Sequence, residues 1–320
     1  MTTKLILDLD TGIDDALALA YALASPEVEL IGVTCTYGNV VVEQSVRNTL
    51  AILELFGRTD VPVFEGPGHA RAKDSFEVQE ISAFIHGQNG IGEVEIPDAA
   101  RQVEQTSAVD FLVDSVHKYG DELVIVPTGP STTIAAAIEA SNVFRDGAQI
   151  VMMGGALTVP GNVTAWSEAN IHQDPEATDL MFRSLRNVTM IGLDVTLQTL
   201  LTTAETTKWA ELGTAGGAFL ADITNYYIDA YKTTSPHLGG CGLHDPLAVA
   251  VAINPGLVDT LGVNMKVDTE GETRGRTIGD EARLNDPDKH AAVAVRVDTT
   301  GFLQEFMQRL SVLAQATPVV

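Results

Sequence analysis

A mostly parallel central sheet with helices on both faces, the Rossmann-like form of the α/β class, is what this sequence predicts. Three observations carry it. Short β-branched or aliphatic runs alternate with helical patterns along the chain. Acidic and polar clusters recur just after those runs, where open parallel sheets bind their ligands. No linker, low-complexity tract or repeat divides the 320 residues, so one domain over residues 1–320, carrying loop insertions, is expected.

Residues 5–7 read as the first strand and 15–24 as the helix after it. Residues 30–34 and 43–56 repeat the pair. Residues 65–105 are polar and punctuated by Gly and Pro, a long surface excursion. Residues 123–126 form a strand before a helix at 131–140, and 150–153 a strand before a helix at 175–183. Residues 188–193 read as strand, and 218–232 as a helix carrying three tyrosines. Residues 262–298 suggest a small β-rich element near the C-terminus, with turns at Gly271 and Gly275, and 302–314 a closing helix.

Composition narrows the function classes. Lys plus Arg number 19 against 43 Asp plus Glu, a net charge of −24. That balance argues against nucleic-acid polymers, whose phosphates need cationic partners, and against an anionic membrane surface. A hydrophobic content of 45% with 19% charged residues reads as globular. Two cysteines make neither a disulfide framework nor a metal pair. The start runs straight into the first strand without a signal-like segment, and the longest apolar stretches, 16–24 and 247–253, fall short of the roughly 20 residues that span a bilayer. A cytoplasmic protein is expected.

The chemistry is concentrated after the strands. The first ends in Asp8-Leu9-Asp10-Thr11-Gly12-Ile13-Asp14-Asp15. Asp8 and Asp10 share a side at strand spacing, and Asp14 and Asp15 open a helix, whose dipole favours anions. A helix cap accounts for one or two of these acids but not for four, which repel unless neutralised. All-oxygen ligands favour calcium or magnesium. Asn39 follows Gly38 after the second strand, and Thr128 sits in Pro127-Thr128-Gly129, where no Gly-Lys-Ser/Thr follows to make a phosphate loop. Asn162, Glu168 and Asn170 suit a polyhydroxylated ligand. Asp174-Pro175 reads as a helix start and Asp174 as its cap. His244-Asp245-Pro246 follows a glycine-rich approach, and histidine exchanges protons near neutral pH. Tyr227 and Tyr231 share a helix face. His86 lies in the excursion, where it can reach the site as a lid.

Taken in order, Asp8-x-Asp10-x-Gly12-x-Asp14-Asp15-Ala16, Gly38-Asn39, Pro127-Thr128-Gly129, Met153-Gly154-Gly155, Glu168-x-Asn170 with Asp174-Pro175-Glu176-Ala177, and His244-Asp245-Pro246 resemble the inosine-uridine preferring nucleoside hydrolases. The resemblance implies calcium-dependent cleavage of the N-glycosidic bond of ribonucleosides to ribose and free base, with one Ca2+ per subunit. It implies Asp10, Asp15, Asp245 and the Thr128 carbonyl as metal ligands and Asp10 as the base that activates water. Asp14, Asn39, Met153, Asn162, Glu168 and Asn170 match ribose-binding positions, with Asp245 at the same end. His244 matches the position that assists departure of the base, and Tyr227 and Tyr231 match positions that contact it. His86 completes the expected substrate contacts. A homodimer or homotetramer and a role in nucleoside salvage are further implications.

Two departures stand out. Thr11 replaces the family's usual proline. Ala169 replaces an aromatic residue, for which Trp166 is expected to restore apolar contact. Purine and pyrimidine nucleosides both fit, and the two tyrosines with His244 look more like purine-accepting members. Two rivals are a calcium-dependent nucleoside or sugar binder without turnover, and a haloacid-dehalogenase-like phosphatase. The second lacks the Thr or Val that its motif needs where Gly12 stands.

Overall fold

The computed structural model describes residues 2–319. Its strands are β1 (Thr3–Leu9), β2 (Val28–Cys35), β3 (Val63–Glu65), β4 (Leu123–Pro127), β5 (Gln149–Met153), β6 (Asn187–Ile191), β7 (Leu200–Leu201), β8 (Cys241–Gly242), β9 (Val258–Val263), β10 (Met265–Val267), β11 (Thr277–Gly279) and β12 (Ala291–Val297). Its α-helices are α1 (Ile13–Ala24), α2 (Val42–Leu55), α3 (Glu80–His86), α4 (Ala108–Tyr119), α5 (Thr132–Ala140), α6 (Asn142–Gly147), α7 (Ala169–Gln173), α8 (Pro175–Ser184), α9 (Leu193–Thr196), α10 (Thr203–Ala210), α11 (Ala215–Thr234), α12 (His244–Ile253) and α13 (Thr299–Gln315).

Eight strands form the main sheet in the order β3-β2-β1-β4-β5-β6-β12-β9. All neighbours run parallel except β9, which pairs antiparallel with β12. Strand alternation sorts the core onto the two faces. Leu5, Leu7 and Leu9 join the apolar cluster under α1, α11, α12 and α13, while Ile6 joins the one under α4, α5, α6 and α8. The strand order reverses between β1 and β4, and at such a switch point the loops diverge and leave a crevice beyond the carboxyl ends.

The region 262–298 divides. β10 and β11 make a separate antiparallel hairpin, whereas β9 and β12 extend the main sheet. Gly271 and Gly275 both take positive φ, +74° and +88°, as turns there require. The run 188–193 does not stay extended to its end. β6 stops at Ile191, and the Leu193 N–H donates to the Gly155 carbonyl (2.9 Å) as α9 begins. A short apolar run cannot by itself separate strand from buried helix. The excursion 65–105 carries α3, and α4 follows it, started by the Ser107 hydroxyl accepting from the Asp110 N–H (3.1 Å).

Candidate active site

The site grows from the turn between β1 and α1. Asp10 is fully buried, and its Oδ2 accepts from the Asn39 N–H (2.7 Å). That approach requires glycine at position 38, because a Cβ there would lie 2.0 Å from Asp10 Oδ2. Asp15, in the first turn of α1, accepts from the Gly12 N–H (2.9 Å) and the Asn39 amide (3.1 Å) on Oδ2, and from the Thr128 hydroxyl (2.7 Å) on Oδ1. Asp14 accepts from the Tyr227 hydroxyl on Oδ2 (3.3 Å). Asp245 comes from the first turn of α12. Asp14, Asp15 and Asp245 can bring one oxygen each within 4.8 Å of one another, so two helix N-termini and their partial positive charge converge here.

Among the described residues, no Lys or Arg pairs with Asp10, Asp14, Asp15 or Asp245. Burial pushes the Asp14 carboxyl up to about 8, helped by the charge of Asp15. Burial also holds Asp10 well above the usual range, with Asp15 adding to it, and burial with the Asp14 and Asp15 charges does the same to Asp245. Asp10 Oδ1 and Asp14 Oδ1 are buried with no hydrogen-bond partner. Packed anions with unpartnered oxygens are stabilised by a cation, and the donors are all oxygen, so the residues present fit a hard divalent ion. The Thr128 carbonyl accepts from the Asn170 amide (2.6 Å) and keeps a second lone pair.

Above this floor lies a cavity of about 480 Å³. Asp14, Asn39, Thr128 and Asp245 line it, while Asp10 and Asp15 sit one contact behind that wall. Met153, Glu168 and Asn170 form one side. Glu168 caps α7: its Oε1 accepts from the Asn170 N–H (3.0 Å) and its Oε2 from the Gly155 N–H (2.9 Å), which lock the carboxylate in place. Asn162 accepts from the Ala169 N–H through Oδ1 (3.0 Å), which leaves its amide N–H groups to donate.

The opposite side is aromatic. The Tyr227 and Tyr231 rings meet edge to face at 4.9 Å, and His86 lies 5.3 Å from Tyr227. The Tyr231 hydroxyl is 2.6 Å from His244 Nε2, and His244 Nδ1 is 2.7 Å from the Thr196 hydroxyl. Burial lowers His244 to about 4, so its imidazole is neutral at pH 7. Burial, with a contribution from His244, lowers His86 to about 3. His86 Nδ1 accepts from the Ile13 N–H (3.1 Å), which assigns the proton of the neutral ring to Nε2.

Residues 5–304 match the family model described as inosine-uridine preferring nucleoside hydrolase. The chain belongs to that family. It is 65% identical to a solved structure of a purine-preferring ribonucleoside hydrolase from Gardnerella vaginalis, with a TM-score of 0.96 over 98% of this chain and 99% of that one. It is 36% identical to probable uridine nucleosidase 2 of Arabidopsis thaliana over 96% of this chain and 97% of the relative. It is 33% identical to pyrimidine-specific ribonucleoside hydrolase RihA of Shigella boydii serotype 4, over 98% and 100% respectively.

In this nucleoside hydrolase the residues singled out from sequence lie together, with two exceptions among the neighbouring candidates. Asp8 does not line the cavity; it lies inside β1 in register with Thr34, whose hydroxyl donates to its Oδ1 (2.6 Å). Trp166 does not supply the missing aromatic contact. It is 43% exposed and stacks on the Arg276 guanidinium (5.1 Å), outside the cavity lining. Asp174 is the cap expected, accepting from the Ala177 N–H (3.0 Å) and the Thr132 hydroxyl (2.8 Å). Sequence reasoning missed Thr196 and the apolar walls from Leu193 and Leu197. Leu193 and Thr196 bound the short α9 and lie within or just after a run that reads as strand, so no local signal separates them.

Proposed function

We propose that the whole chain acts as one catalytic unit that hydrolyses the N-glycosidic bond of ribonucleosides, taking purine nucleosides in preference. The observation that carries the chemistry is the unpaired acidic floor beneath a cavity whose far side is aromatic. Asp10 is the general base. Its Oδ2 is occupied by the Asn39 N–H, so the unpartnered Oδ1 is the atom that accepts a proton from water. Asp10, Asp15, Asp245 and the Thr128 carbonyl would hold one Ca2+ per subunit, which when bound neutralises the floor and orders a water and the ribose 2′- and 3′-hydroxyls.

Asp14, Asn39, Met153, Asn162, Glu168 and Asn170 bind the sugar. The buried carboxylates stabilise the positive charge that develops on an oxocarbenium-like sugar. His86 offers its Nε2–H to the substrate. Tyr227 and Tyr231 pack on the base, and His244 assists its departure as the middle of a Thr196–His244–Tyr231 chain rather than as a stored imidazolium. The purine preference is supported by the likeness to the purine-preferring ribonucleoside hydrolase of Gardnerella vaginalis and by the Tyr231 hydroxyl beside His244, with the Tyr227 ring packed on Tyr231. A cytoplasmic homodimer or homotetramer is the expected form. Among the described residues, no helix is long and apolar enough to cross a membrane.

The test is incubation with inosine, guanosine, adenosine, uridine and cytidine while reducing-sugar release is followed. Ribose should appear with a higher kcat/KM for purine nucleosides. Ribose from none of the five would sink the reading. Faster release from uridine than from inosine would overturn the purine preference alone.

A further inference from the structure

Asn48 is a buried amide on α2 with no place in the reaction described above. It touches two segments that build the site. Its Nδ2 donates to the Thr11 carbonyl (3.1 Å), on the turn between Asp10 and Gly12, and to the Asn89 carbonyl (2.8 Å), three residues after His86. Two carbonyls can only accept, so the amide orientation is forced, and Gln44 closes the set by donating to Asn48 Oδ1 (2.8 Å).

The segment after His86 is wired mostly to itself. Asn89 Oδ1 accepts from the Ile91 and Glu93 N–H groups (2.9 and 3.0 Å), its amide donates to the Val94 carbonyl (3.0 Å), and the Gly92 N–H donates to the His86 carbonyl (2.7 Å). Near His86 its hydrogen bonds to the β1–α1 turn and the α2 helix are the Ile13 N–H to His86 Nδ1 and the Asn48 amide to Asn89, and further along Arg47 of α2 donates to the Ile96 carbonyl (3.3 Å). Gly90 marks how close that contact is. It has a φ of +81°, and a Cβ there would lie 3.0 Å from Asn48 Nδ2 and 3.1 Å from the Thr11 carbonyl.

We infer that Asn48 is a positioning residue: by clamping the Asn89 carbonyl to the Thr11 carbonyl through one amide, it holds the His86 imidazole over the acidic floor. The Ile13 hydrogen bond and the Tyr227 ring hold the imidazole itself, and the Asn48 clamp fixes the backbone that carries it. This rests on the reading that His86 contacts substrate.

A double-mutant cycle tests it, with kcat and KM for inosine measured in wild type, Asn48→Ala, His86→Ala and the double variant. Asn48→Ala should lower kcat/KM by about 30-fold, the scale of two lost neutral hydrogen bonds, and by less than about threefold once His86 is alanine. The same loss in both backgrounds would overturn the positioning role, because a packing defect does not depend on the His86 ring. His86→Ala at the wild-type rate would remove the substrate contact and the inference with it, whereas an impaired His86→Ala with additive losses would remove only the inference. If Asn48→Ala fails to fold, the near-isosteric Asn48→Leu, which removes the amide donor without adding a charge, takes its place with the same outcomes.

Discussion

The floor and the aromatic side of the cavity are built on opposite plans. Most of the floor comes from one strand–turn–helix segment, Asp10 to Asp15, with Thr128 and Asp245 added at other element ends. Its carboxyls are buried, and Asp10 Oδ1 and Asp14 Oδ1 lack a hydrogen-bond partner. The aromatic side is assembled from α3, α9, α11 and α12; His244 is paired within it to Tyr231 and Thr196, while Tyr227 reaches across to Asp14 and His86 to the Ile13 N–H. An unpartnered charged floor is suited to a cation and a reacting sugar. A neutral aromatic wall is suited to recognising a base and easing it out. The sugar chemistry and the base choice are therefore separable, and perturbing each region should change different quantities.

The largest effect should come from the floor. Removing the metal with a chelator should abolish ribose release from every nucleoside alike, and Ca2+ should restore it. Full activity after chelation, verified by elemental content, would break the contrast. On the aromatic side, His244→Ala should lower inosine turnover about 100-fold, within the range for positioned proton transfer. It should barely change a nitrophenyl riboside, whose leaving group needs no proton. Equal losses on both substrates would move His244 into the sugar chemistry. Tyr231→Phe removes one hydroxyl from the same chain and should cost about fivefold to tenfold on inosine, the worth of one neutral hydrogen bond. A loss as large as that of His244→Ala would make Tyr231 the proton donor.

A separate effect concerns stability. In the metal-stripped protein, Asp8 and Asp14 are raised from 3.8 to about 7 and about 8, chiefly by burial. The folded state then binds more protons than the unfolded chain between those values, so the contribution is present below about pH 4 and is lost as pH rises towards 8. Thermal unfolding in chelator should give a lower Tm at pH 8 than at pH 5, and Ca2+ should narrow the gap. A Tm that rises from pH 5 to pH 8 in chelator would contradict the unneutralised floor.

The same contrast explains what the sequence made legible. The floor was readable because its acids follow one another along a strand and a helix start, where spacing translates directly into direction. Asp8 shows the limit of that logic. Strand periodicity gives the face a side chain takes but not its depth along the strand, and Asp8 lies one step too far inside, against Thr34. The aromatic side was only partly readable. Tyr227 and Tyr231 share a helix face, but their meeting with His244 and Thr196 joins three elements far apart in the chain. Trp166 was misleading for a related reason: proximity in sequence to Glu168 did not turn its ring inward, and Arg276 holds it at the surface. Of the sheet, the parallel core was legible from alternating runs. The addition of β9 and β12 to its edge was not, because pairing partners are set by tertiary packing.

The central claim is that Asp10 supplies the base in a floor that binds sugar and cation independently of the base-binding wall. Single-turnover cleavage of inosine by Asp10→Asn, with bound calcium and ribose affinity measured on the same sample, tests it most directly. The expected result is cleavage slowed by about 1,000-fold or more, with the fold intact and ribose still bound. Cleavage within a few-fold of the wild-type rate would contradict the account.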